Sequence, residues 1–130
     1  MRLTLATAVC MCFALPAASK PPLSEVSEID NGLMTIAIAD EIRKNCDDIS
    51  ARLIRAYQQI KTLERRAKAL GYSDDEIDTY VNSDSEKARM RQKANAYLAA
   101  QGVSASDTKA LCRFGRDQIA AGGPVGFFLR

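Results

Sequence analysis

Four groups of side chains have types and spacings that could do chemistry: Cys46 with Cys112, an acidic cluster around Ser73 and Ser83, a basic run from Lys87 to Lys93, and the pair Phe127-Phe128. The 130 residues contain no histidine and no tryptophan. Without histidine there is no serine–histidine or cysteine–histidine nucleophile pair. Histidine-based zinc, copper and non-haem iron sites and a histidine pH switch are excluded with it. Cys46 and Cys112 lack the Cys-x-x-Cys spacing in which one thiolate attacks and its neighbour resolves, so a redox site is the weaker reading. In an oxidising compartment they form a structural disulfide instead. Closing a loop of that length stabilises the fold by about 4 kcal/mol in the chain-entropy model. Both sulfurs should then face the core.

The remaining candidates each have a plainer reading. Asp74, Asp75, Glu76, Asp78, Asp84 and Glu86 could ligate calcium or supply an acid/base pair. No turn-forming glycine lies among them and no tryptophan is available to hold a sugar. Carboxylates in the first turn of a helix meet the positive end of its dipole, which accounts for them without a ligand. Lys87, Arg89, Arg91 and Lys93 read as the solvated face of a helix, with an acidic protein partner or a lipid headgroup as the alternative. Nucleic acid is not expected, because the basic and acidic side chains nearly balance at 18 and 16. Phe127 and Phe128 should fold back and plug the domain. Left exposed, they would form a patch that contacts a partner or a membrane. No metal or cofactor is expected.

The elements that must position these groups read as helices. The spacing predicts a first helix over about Gly32–Asn45, capped by Asp30 or Asn31, although Met34, Ile36 and Ile38 alternate with a period that also suits a strand. A second helix, capped by Asp47 or Asp48 and stopped by Gly71, carries Ile49, Leu53, Ala56, Ile60, Leu63, Ala67 and Leu70 at spacings of four and three, with Ile54 and Tyr57 widening the stripe. That stripe would run down about 33 Å of helix. It reads as the core side of a bundle, and as the bundle's central element, rather than as a coiled-coil seam. Ser73 with Glu76 and Ser83 with Glu86 form two capping boxes that open a third and a fourth helix. A fifth starts near Ser104 or Ser106 and ends near Gly122, with Gly115 allowing close approach of a neighbour beside the disulfide.

Residues 1–19 read as a secretory signal: Arg2, an apolar run from Leu3 to Leu15, Pro16, then Ala17-Ala18-Ser19 before the cut. The run is shorter than the roughly twenty residues that span a bilayer. Cys10 and Cys12 leave with it. Residues 20–30, with Pro21 and Pro22, read as an extended lead-in, and residues 31–130 as one helical domain.

Taken together, EIDNGLMTIAIADEIRKNCDDISARLIRAY, LGYSDDEIDTYVNSDSEKARMR, YLAAQGV and LCRFGRDQIA resemble a family of small exported alphaproteobacterial proteins, domain of unknown function five-three-three-three. The resemblance implies a signal-bearing, mostly helical periplasmic protein and brings no activity, ligand or catalytic residue. The expectation is an all-α bundle of four to five helices with one disulfide. Its function would be non-enzymatic, the binding of another macromolecule in the periplasm. A periplasmic stress chaperone and a carboxylate-based hydrolase are the alternatives.

Overall fold

The protein, as a computed structural model, is described over residues 19–130, so the expected signal segment lies outside the described residues except for Ser19. Five helices follow in order: α1 (Ser27–Asn45), α2 (Leu53–Ala69), α3 (Asp74–Asn82), α4 (Asp84–Ala100) and α5 (Thr108–Ala121). Short 3-10 turns precede α1 at Leu23–Glu25 and end the chain at Gly126–Phe128. Among the described residues there is no strand, only an isolated bridge between Ala51 and Leu129. The all-α expectation holds, and the disulfide is present.

The central element is α1, not α2 as its cleaner stripe suggested. Helix α1 packs against α2, α4, α5 and both 3-10 turns. Met34, Ile38 and Ile42 are buried in the main core with Leu98, Leu111 and Phe128. Leu33 and Ile36 occupy other sides of the same helix and meet other neighbours. A helix surrounded on most sides needs apolar residues all round, and this erases the one-sided pattern. The strand-like alternation of Met34, Ile36 and Ile38 comes from that.

Cys46, which caps the end of α1, is bonded to Cys112 in α5, with Cα atoms 5.6 Å apart and both residues buried. Beside this tie α5 lies against α1 at Gly115. A Cβ there would come within 2.8 Å of Ile42 Cγ2 and 2.9 Å of Ile49 Cδ1, so only glycine permits the contact. Gly122 then ends α5 in a left-handed conformation at φ 64°.

Three boundaries differ from expectation. The lead-in is docked rather than extended: Leu23 is buried with Ile29, Ala67 and Tyr72, the Tyr72 hydroxyl donates to the Pro21 carbonyl, and Lys20 Nζ donates to Gly71 O at 2.6 Å. That docking lets α1 begin at Ser27, which places Asp30 inside the helix instead of at its cap. Helix α2 starts at Leu53 rather than near Asp48, because Ile49 drops into the core and the next residues pair with the C-terminus. Ser50 and Arg130 exchange backbone bonds of 2.7 and 2.9 Å, and Arg52 N donates to Phe128 O at 2.7 Å. Asp48 meets Arg116 instead. Helix α5 is capped by Asp107, whose carboxylate accepts from Ala110 N, so the two serines before it stand outside the helix. Of the two capping boxes, Ser73/Glu76 is complete; at Ser83 the hydroxyl accepts from Glu86 N, but the Glu86 carboxylate turns to Arg89.

Candidate functional site: an open apolar groove along α2

Helix α2 buries little of what its stripe offers. Leu63 and Ala67 are buried and Ala56 is half-buried. Leu53, Ile54 and Tyr57 stand 67%, 75% and 61% exposed. The reason is geometric: α2 rests on α1 but makes little contact with α4, so a channel stays open between them.

That channel is a groove of about 430 Å³. Leu33 and Ile36 of α1 form its floor, Leu53, Ala56 and Ile60 of α2 one wall, and Val81 and Met90 the other. An adjoining hollow of about 540 Å³ shares Leu33, Ile60, Tyr80 and Val81 with it, and continues along α2 past Leu63 and Ala67. The two form one apolar trough over most of the roughly 25 Å length of α2. Its size and apolar lining are those of a binding cleft.

Charge is distributed unevenly along the trough. Around its far end stand Glu64 and Asp74, paired with Lys61 and Lys68, and Asp75 and Asp78, which have no ion pair among the described residues. At its near end Arg43 is paired with Asp40, and Glu86 with Arg89. Lys87 is exposed there, without an ion pair among the described residues. Arg55 lies nearby, holding the Phe127 carbonyl at 3.1 Å and stacking its guanidinium 4.7 Å from the Phe127 ring.

Behind the trough lies a buried ionic cluster that sequence reasoning missed. Asp30 is 1% exposed. Arg89 grips both its oxygens, Nη2 to Oδ1 at 2.5 Å and Nη1 to Oδ2 at 3.2 Å. Lys93 donates to Oδ2, and the Tyr80 hydroxyl donates to Oδ1 at 2.5 Å. Burial alone would push the carboxyl up, but the donated bonds from Arg89, Lys93 and Tyr80 outweigh it and hold Asp30 down at about 2. Burial, then the bond to Asp30, pushes the Tyr80 phenol up. The bond to Asp30 also raises Arg89. Thus α4 is clamped to α1, and Tyr80, which lines the trough, is clamped to both.

The cluster divides the basic run. Lys87 and Arg91 lie one turn apart and are exposed; Arg89 and Lys93, also one turn apart, lie on the other side of α4 and face Asp30. The spacing of four within each pair was the signal available, but nothing in the sequence marked Asp30 as their partner. The aromatic pair divides as well: Phe128 is buried, plugging the domain as expected, while Phe127 stays half exposed beneath Arg55. The acidic residues Asp74, Asp75, Glu76, Asp78 and Asp84 are exposed. Among the described residues no three of His, Cys, Asp and Glu gather where they could hold a metal ion.

Residues 21–130 match the profile of a family of unknown function, DUF5333. The chain belongs to that family. Neither a curated protein nor a solved structure matches the chain. Family membership therefore spans nearly all of the described helical domain and attaches no reaction to it, and the groove's own geometry has to carry the functional argument.

Proposed function

We propose that the protein is a non-enzymatic exported protein that binds another macromolecule in the periplasm, with the α2 trough as its docking face. The observation that carries this reading is the uncovered apolar surface of α2, where Leu53, Ile54 and Tyr57 stay in solvent while only Leu63 and Ala67 of the same helix are buried. Contiguous exposed apolar surface rimmed by charge marks an interaction site, and an amphipathic helix laid into such a groove is a recurring mode of peptide recognition. A photo-crosslinking residue at Tyr57 in the native compartment tests it. Adducts with another polypeptide are expected from that position. None is expected from Arg113, which is exposed on α5, a helix that contributes no residue to either hollow. Equal capture from both positions, or none from Tyr57, would remove the reading.

A second reading, a stress chaperone of the periplasm, is favoured by the Asp30 cluster. Its carboxyl, held down at about 2, takes up a proton as pH falls through that value, and Arg89 and Lys93 then lose the counter-ion they share behind the trough. Loosening α4 from α1 there would widen the apolar surface. Apolar-dye binding and protection of a denatured client should then rise as pH falls through about 2. An inert, fully folded protein under those conditions disposes of this reading.

A further inference from the structure

We infer that the resting occupant of the trough is a second copy of this chain, packed two-fold with the α2 helices antiparallel across the axis. The inference rests on reading the trough as a docking face, and adds what covers it. A small amphiphile would fill the groove yet leave Ile54 and Tyr57 bare, because both are exposed and neither lines a hollow. An occupant that covers them must itself be a broad apolar surface about as long as α2. Helix α2 of another copy is such a surface.

Charge points the same way. The exposed apolar half of α2, Leu53 to Ile60, carries Arg55 and no acidic residue, with Lys87 across the groove from it. The other half of the trough is flanked by Glu64 and Asp74, which are paired with Lys61 and Lys68, and by Asp75 and Asp78, which have no ion pair among the described residues and leave that end acidic. Each protomer thus has a basic end and an acidic end on one apolar face. An antiparallel two-fold sets each basic end on the partner's acidic end, twice over, as an isologous interface requires. It also brings the positive N-terminal end of each α2 toward the partner's carboxylates. A parallel arrangement would put like charges together.

Sedimentation equilibrium of the purified protein should show a dimer at about 100 µM that dissociates on dilution. Tyr57→Asp should weaken it by tenfold or more, with the melting temperature unchanged at dilutions where both proteins are monomeric. Charge reversal gives the sharper test. Asp75→Lys with Asp78→Lys makes both ends basic; Arg55→Glu with Lys87→Glu makes both ends acidic. Each double variant should be monomeric alone, and an equimolar mixture should restore a 1:1 dimer. A misfolded variant could not be rescued in this way, and circular dichroism of each confirms its helix content. A wild-type monomer throughout, or reversed variants that dimerise alone, or a mixture that stays monomeric, would overturn the inference. If in those cases Tyr57 still crosslinks to a foreign polypeptide, the docking-face reading survives. If Tyr57 crosslinks to nothing, both fall.

Discussion

Helices α1 and α2 are almost opposite cases. Helix α1 has no tidy apolar stripe and is the most enclosed element of the protein, with Ile38 1% and Ile42 0% exposed. Helix α2 has the cleanest stripe and leaves much of its apolar surface in water, with Ile54 75% exposed. A periodic stripe says which side of a helix would prefer to be covered. It does not say that the same chain covers it. Helix α1 is held by a disulfide at one end and a buried ionic cluster near the other. Helix α2 is held mainly by Leu63, Ala67 and the C-terminal tail. The difference separates the part of the molecule that makes the fold from the part whose apolar surface the described chain leaves uncovered.

The largest effect should come from the α1–α5 tie. Replacing Cys46 and Cys112 with serine should cost about 4 kcal/mol of stability, read from denaturant melts with and without reductant. Equal melts would mean that α1 is fixed by packing alone, and the contrast with α2 would lose its covalent half. Next is Asp30→Asn, which leaves Lys93 without an ion pair and Arg89 with Glu86 alone, and should cost about 3 kcal/mol. The two cations are about one-third exposed, so they can turn partly to solvent and keep the loss from being larger. The same cluster sets an acid limit. The Asp30 carboxyl is lowered from 3.8 to about 2 on folding, so its contribution is complete above about pH 4 and is lost as pH falls through about 2. Titrating Asp30 by NMR alongside stability checks both; a carboxyl that titrates near 3.8 would show the clamp to be weak. The smallest effect belongs to α2: Ile54→Ala should change monomer stability by no more than about 0.5 kcal/mol. A loss of about 2 kcal/mol or more would mean that this face is covered within the single chain, and the comparison would collapse.

Much of the scaffold was readable because its signals are local. Ser73 with Glu76 opens α3 as written, Gly122 ends α5, and Cys46 joins Cys112 as expected. Where the reading failed, a distant segment had intervened. Asp30 resembles a helix cap until Leu23 docks on Tyr72 and α1 extends back to Ser27. Asp47 and Asp48 resemble the cap of α2 until Arg130 pairs with Ser50 and holds that stretch extended. Arg89 and Lys93 resemble solvated charges until Asp30 appears beneath them.

The sequence by itself determined that the described domain is helical and where most helices stop, because capping and periodicity act within a few turns of chain; it pointed to the Cys46–Cys112 pair once Cys10 and Cys12 were assigned to the expected signal. The tertiary structure alone decided that α1 is the centre, that a carboxylate is clamped by three donors from α3 and α4, and that α2 lines an open trough. Those outcomes depend on which faces meet across fifty or more residues of chain. An apolar stripe has the same spacing whether its cover comes from its own chain or from another.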